Sequence, residues 1–530
     1  MNVVTIGSFL AFTAFVAIAS YFWVRGTDEG TSDGYFLGGR SLTGVVIAGS
    51  LLLTNLSTEQ IVGLNGQAFQ AGVAVMAWET TSAIALVFTA FYLLPRYLKG
   101  GISTISEFIG ERFDHLTRTL VAALFLIGYI VFFLPTVLYS GALALGNIFD
   151  VSGIFGVGDT VALWITVWAL GLVGSVYAVA GGLKAVAVSD TINAVGLFTG
   201  GLLIPIFGLA YIGDGSILSG WSTLWEAHPE KFDARGGEDS LLPFSVLFTG
   251  LIFNQLFYWG TNQAIVQRAF AAKNLREGQK GLLLAGLFKV LVPFIVVLPG
   301  IIAFHIFQGE LQNPDDAYPA LVAEVLPTWL LGFFAAVLFG AILSSFNSVL
   351  NSSVTLFGID IYRQQFRPEA SDAEVVRAGK ICGIVLAILA MTIAPFIANA
   401  PEGLYSLLQE LNGAYSIPIL SVVLIGYMTK WVPAIGANIA LVFGLVFYCV
   451  SQFIVAPYFG DAYPHFLHIQ AINFAICVAI MLVASKLRPR SDAFKLASSG
   501  AVEMDSWKMA PIAGVLVTTL VIGTYFIFTG

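Results

Sequence analysis

Two charged side chains stand where charge is least tolerated. Glu79 lies about eight residues from one end of the apolar run 71–94, and Lys289 about nine residues beyond the basic cluster that ends at Lys280, inside the run 278–306. At about 1.5 Å of rise per residue these are depths of roughly 12 and 13 Å from opposite ends. Both are near the middle of a hydrocarbon layer about 30 Å thick. Facing lipid, each would cost at least about 2.5–3.5 kcal/mol. A shared polar cavity, with each charge compensating the other, removes that cost. An ion pair that merely joins two helices is the simpler alternative. Against it, Asn55, Gln60, Tyr258 and Gln409 also fall within apolar runs, which is more hydrogen-bonding capacity than helix packing needs. Amides, one carboxylate, one ammonium and an aromatic ring suit a neutral polyhydroxyl ligand. Its hydroxyls donate to carboxylate and amide oxygens and accept from amide and ammonium groups, while the ring covers an apolar sugar face. An anionic ligand calls for an unpaired arginine, and none of the apolar runs holds one away from its ends.

A second group of residues suits a hard cation. Ser344 and Ser345 lie in Gly340-Ala341-Ile342-Leu343-Ser344-Ser345-Phe346-Asn347-Ser348, well inside the run 327–356. Two adjacent hydroxyls beside carbonyls released from an interrupted helix make an oxygen site for Na⁺. Back-bonding of serine hydroxyls to their own helix is the competing account. Asp190 opens the run 186–211 just after Ser189, where an acid also stabilises a helix N-terminus without further role. No HExxH, GxSxG or Walker loop is present, and the chain is expected not to be an enzyme. Cys382, Cys449 and Cys477 all lie in apolar runs without CxxC or Cys/His spacing and read as small core residues. No metal cluster is expected.

The elements that must position these residues are membrane helices. The 530 residues are 57% hydrophobic and only 11% charged, against about 25% charged in soluble domains. Apolar runs occur near 3–24, 45–66, 71–94, 118–146, 160–178, 186–211, 243–264, 278–306, 327–356, 376–398, 403–427, 432–456, 467–487 and 510–529. This predicts an all-α polytopic membrane protein with 14 transmembrane helices in one membrane domain, residues 1–530. When alternate loops are assigned to opposite faces, every lysine and arginine except Lys231, Arg235 and Lys289 falls on one face. That face is cytoplasmic by the retention of basic residues. Both termini are then expected on the outer side of the plasma (inner) membrane. No cleavable signal peptide is evident, and Arg25 is the basic flank of the first run. The net charge of −8 comes mostly from loop acids, and no basic patch points to nucleic acid. The tract 179–183 reads as a tight cytoplasmic turn. Two outer loops are longer, Gly213–Leu242 and Gln308–Pro327.

Two runs carry unusual polarity. One is Ser50-Leu51-Leu52-Leu53-Thr54-Asn55-Leu56-Ser57-Thr58-Glu59-Gln60, the other Phe253-Asn254-Gln255-Leu256-Phe257-Tyr258-Trp259-Gly260-Thr261-Asn262-Gln263. Irregular or polar backbone at this depth survives only against protein or a water-filled cavity. Two interrupted spans five helices apart point to a 5+5 inverted repeat, with the ligand where the broken segments meet. The first repeat is placed at 45–211 and the second at 243–427. The run 3–24 is an additional N-terminal helix, and 432–529 holds the C-terminal helices.

The stretches DGYFLGGRSL, TNLSTEQIVG, AWETTSAIAL, YAVAGGLKAVAVSDTI, FYWGTNQAIVQRAFAAK, GLFKVLVPFIVVLPG and FGAILSSFNSVLNSSVTLFGIDIY carry a resemblance to a known family. From about Tyr35 to Lys430 the chain resembles the sodium:solute symporter family, and within it the bacterial sodium/galactose symporters and animal sodium/glucose cotransporters. The resemblance implies the leucine-transporter fold with discontinuous helices and sodium-coupled import of a monosaccharide by alternating access. Carried over by residue, it implies a solute site of Asn55, Gln60, Glu79, Ser82, Gln255, Tyr258, Lys289 and Gln409. Tyr258 would also close the site from the cytoplasm, and Leu64, Trp78 and Tyr405 would close it from outside. Na⁺ would bind the carbonyls of Leu53, Leu56 and Ala341 with the hydroxyls of Ser344 and Ser345, and leave past Asp190. The chain departs from the pattern at three points. Gln255 replaces the asparagine of bacterial galactose symporters, and Trp78 a frequent tyrosine. Asn347 and Ser348 stand where some sialic-acid members have a second serine pair, which puts a second sodium in doubt. The alternatives are a symporter for a polyol, sialic acid or amino acid, and a sugar-gated sensor. The partners implied are the solute, Na⁺ and the bilayer; nothing in the sequence sets the oligomeric state.

Overall fold

The computed structural model describes residues 3–24, 31–237, 240–311, 313–399 and 404–528. Arg25, the first residue of the run 403–427, the last of the run 510–529, and residues 238, 239 and 312 of the outer loops lie outside the described residues. Among the described residues, regular structure is helical apart from two isolated bridges, Leu42 with Ala272 and Asn274 with Glu503. Helices prevail because lipid offers no partner to backbone N–H and C=O groups, which must pair within their own segment.

Eleven helices among the described residues are long and apolar enough to cross a membrane. They become twelve if Leu275–Lys289 and Pro293–Phe307, bent by 45°, count as one span. The count of fourteen is not reached by length and apolarity, and the shortfall falls on the two polar runs. The run 45–66 is split into Gly44–Asn55 and Thr58–Ala71, and the run 243–264 contains Gly250–Gly260, with Gln263–Phe270 following. The stretch Thr58–Gly100 then continues through the run 71–94. The other runs coincide with helices to within a few residues, among them Val3–Val24, Thr328–Thr355 and Leu404–Met428.

The breaks have local causes. At the first, Leu56 leaves helical geometry (φ −81°, ψ 63°) and Ser57 is extended. The Ser57 N–H turns to the Asn55 carbonyl (2.9 Å) instead of continuing the ladder to Leu53. At the second, the N–H groups of Thr261 and Asn262 share the Phe257 carbonyl, both at 2.8 Å. The Asn262 side chain then accepts from the Ala264 N–H (3.1 Å) and restarts the helix. Gly182, at φ 56°, kinks the chain between Asp159–Ala178 and Gly182–Ile212.

Small residues hold the broken helix in place. A Cβ on Gly49 would lie 2.8 Å from the Thr191 Cα, so Gly44–Asn55 packs backbone to backbone against Gly182–Ile212. On its other sides it meets Leu275–Lys289 and Thr328–Thr355. The non-helical segment before the last helix straps one end of the bundle. Its Phe494 N–H donates to the Lys430 carbonyl and its Ser499 N–H to the Lys99 carbonyl, both at 3.0 Å, and the Trp507 N–H donates to Gln279 (2.8 Å).

Candidate functional site

Six helical segments turn polar side chains toward one internal cavity. Gly44–Asn55 contributes Asn55 from its last position, and Thr58–Ala71 contributes Glu59 and Gln60 from its first turn. Ala77–Phe88 brings Trp78, Glu79 and Ser82; Gly250–Gly260 brings Gln255, Tyr258 and Trp259. Lys289 ends Leu275–Lys289, and Leu404–Met428 supplies Tyr405 and Gln409. Every residue expected at the solute site therefore lines the same cavity. Asn254 and Asn412 line it as well.

At its centre the Lys289 ammonium meets Glu79 Oε2 at 2.5 Å, with both side chains buried. The same ammonium donates to Asn55 Oδ1, and Gln60 Nε2 donates to Glu79 Oε1. Both Glu79 oxygens are thus occupied by groups from two other helical segments. Ser82 turns its hydroxyl to the Glu79 carbonyl (2.5 Å). These groups satisfy one another, as buried polar groups must. Gln255 has a more structural place than expected. Its amide nitrogen donates to the Trp78 carbonyl (3.0 Å) and its oxygen accepts from the Trp259 indole (3.1 Å). The extra methylene relative to asparagine lets one side chain tie the Trp78 backbone to Trp259. The rings of Trp78 and Tyr405 meet edge to face with centroids 5.4 Å apart, and both line the cavity. Leu64 is fully buried but does not line the cavity.

The second group assembles beside the first helix break. The Ser345 hydroxyl donates to the Thr54 carbonyl (2.7 Å), which sets the serine pair against the end of Gly44–Asn55. Leu53, Leu56 and Ala341 are buried on the same two segments. The buried Ser344 hydroxyl lines a cleft with Ser189, Asp190, Asn193 and Asn347, on the side of the Asp190 carboxylate. Two hydroxyls beside a carboxylate and the carbonyls of an interrupted helix make a donor set that fits an oxygen-ligated cation.

Arg268 does not sit in a solvated basic loop. It is fully buried, donating to Ser50 (3.1 Å), Ser348 and the Ala264 carbonyl. Ser50 in turn donates to Asp190 (2.6 Å), and Thr54 and Ser348 share a hydrogen bond of 2.9 Å. An arginine therefore occupies Ser348, next to the serine pair, although it does not line the central cavity. The sequence carried no signal for this, because position 268 follows the second break and reads as a loop end. Lys231 is likewise not solvated: its ammonium caps the Phe69 and Gln70 carbonyls at 3.0 and 2.6 Å.

The sequence pattern of the sodium:solute symporter family matches residues 35–444. The chain belongs to the sodium:solute symporter family. It is 47% identical over 525 residues to the uncharacterized symporter YidK of Escherichia coli (strain K12), across 99% of this chain and 91% of that protein. It is 35% identical to the sodium/glucose cotransporter of Vibrio parahaemolyticus, across 84% of each. With the sodium/myo-inositol cotransporter of Homo sapiens it shares 29% identity, across 89% of this chain and 72% of that one. Among solved structures, an outward-open Na⁺-coupled sialic acid symporter superposes with a TM-score of 0.76 at 19% identity. The match covers 93% of this chain and 99% of that one. This symporter family member is a multi-pass membrane protein that couples solute transport to Na⁺, and Na⁺ is the co-transported ion.

Proposed function

We propose that the cargo is a neutral monosaccharide, or a polyol of similar size, imported with Na⁺ by alternating access. The observation that carries this reading is the meeting of Asn55, Gln60, Glu79, Tyr258, Lys289 and Gln409 around one cavity. Their donors and acceptors match a ring of hydroxyls. Relatives that are named sodium/glucose and sodium/myo-inositol cotransporters support sugar and polyol alike.

In this account Na⁺ binds Ser344, Ser345 and the carbonyls of Leu53, Leu56 and Ala341. It draws Thr328–Thr355 against the first break and fixes Asn55 and Gln60 for the solute. Each ligand must favour one state over the other for coupling to arise. Solute binding under Trp78 and Tyr405, with Leu64 behind them, closes the outer side. Na⁺ then leaves past Asp190, and Tyr258 moves to free the solute inward. One positive charge moving inward gains about 2.3 kcal/mol per 100 mV. The proposed frame is a 5+5 inverted repeat, 45–211 and 243–427, flanked by 3–24 and 432–529. It has fourteen crossings with the two broken runs counted, and both termini outside the plasma (inner) membrane.

Uptake of a labelled panel into proteoliposomes, with and without Na⁺, tests the reading. The panel holds glucose, galactose, myo-inositol, sialate and proline. A Na⁺-dependent signal for glucose, galactose or myo-inositol is expected. Transport of sialate or proline alone contradicts it.

A further inference from the structure

The cavity holds two carboxylates and one ammonium. Glu79 is matched by Lys289. Glu59 is not: it is 3% exposed, lines the cavity, accepts a hydrogen bond from the Ser57 hydroxyl, and has no ion-pair partner among the described residues. Its position in the chain gives this meaning. Ser57 precedes the half-helix Thr58–Ala71 and makes no side-chain cap bond, and Glu59 lies in the first turn. The start of a helix gathers unpaired N–H dipoles and attracts anions. In transporters with discontinuous helices, such ends point at anionic groups of the solute. Here the chain supplies the anion itself, from inside the site.

We infer that Glu59 is a specificity-determining residue of the solute site. Its carboxylate takes the place that a solute carboxylate would seek, accepts hydrogen bonds from the hydroxyls of a neutral solute, and repels sugar acids. The inference rests on the cavity being the solute site for a neutral cargo. It adds an acceptor that the family resemblance did not name. It also separates this chain's selectivity from that of a sialic acid carrier of the same fold. The simplest competing role, an acid that only steadies its own helix start, leaves selectivity untouched.

Trp78 and Trp259 line the cavity, so tryptophan fluorescence of the full chain in detergent at saturating Na⁺ reports binding. The probes are D-glucose, D-galactose, myo-inositol and D-glucuronate. The wild type is expected to bind a neutral probe at least about tenfold more tightly than glucuronate. Glu59→Gln is expected to weaken the neutral probe about 10- to 100-fold, the range for a lost hydrogen bond to a charged group, and to narrow the gap to glucuronate at least about tenfold. Glu59→Asp, which keeps the charge, is expected to keep rejecting glucuronate. If Glu59→Gln keeps the wild-type affinities and gap and only melts earlier, the assignment of Glu59 falls while the solute site stands. If Na⁺ perturbs the fluorescence but no neutral probe binds the wild type, or glucuronate binds best, the neutral-cargo reading falls and the assignment with it.

Discussion

Replacing Lys289 with methionine keeps the volume of the side chain and removes its charge. In the structure this strips donors from Glu79 Oε2, at 2.5 Å, and from Asn55 Oδ1 in one step. At that separation and an effective dielectric constant of about 20, the gross attraction between the two charges is roughly 6–7 kcal/mol. Desolvation offsets much of it, and breaking a buried pair from one side costs about 3–5 kcal/mol, because the remaining charge is left uncompensated. Lys289→Met and Glu79→Gln are each expected to lose stability in that range. The double variant buries no unpaired charge and is expected to be more stable than either single one, so the two changes couple by several kcal/mol. Thermal unfolding in detergent, followed by tryptophan fluorescence, gives the order wild type, double, then singles. Strict additivity, with coupling below about 0.5 kcal/mol, would falsify the pairing and the polar centre built on it.

Other outcomes follow from neighbouring contacts. Ser345→Ala removes a hydroxyl from the first break and is expected to raise the Na⁺ concentration for half-maximal uptake about tenfold, with solute affinity restored at saturating Na⁺; an unchanged sodium titration moves the cation site elsewhere. Gly63→Ala places a Cβ 2.6 Å from the Tyr405 Cβ; the outer lid is then held from closing, so turnover should fall while Na⁺ affinity stays, which initial-rate kinetics separate. Arg268→Ala is expected to cost about 2–4 kcal/mol in thermal unfolding, because Ser50, Ser348 and a carbonyl lose their donors. Arg268→Lys should recover little of it, since one ammonium cannot span that fork; full rescue by lysine removes the argument.

Much of the fold was legible because lipid imposes a length and polarity rule on every span. Most apolar runs coincide with helices, and the two runs rich in amides and hydroxyls both break. The meeting of Glu79 with Lys289 was legible for a related reason: two charges at equal depth have few ways to avoid lipid other than each other. Three things escaped. The helices' lengths did, because Gly44–Asn55 ends at the break at Leu56 and Gly250–Gly260 at the break at Thr261. The burial of Arg268 did, because nothing local distinguishes an arginine that folds back onto Ser50 and Ser348 from one in water. The double anchoring of Gln255 did as well, since it depends on the Trp78 carbonyl and the Trp259 indole lying within reach of one side chain.

The most direct test of Na⁺-driven import of a neutral sugar or polyol is accumulation. Proteoliposomes holding the wild-type chain are given the best neutral solute of the panel, with Na⁺ high outside and low inside. The account gives an internal concentration that rises above the external one and collapses to equality when a sodium ionophore dissipates the gradient. Equilibration without overshoot, or accumulation indifferent to Na⁺, contradicts it.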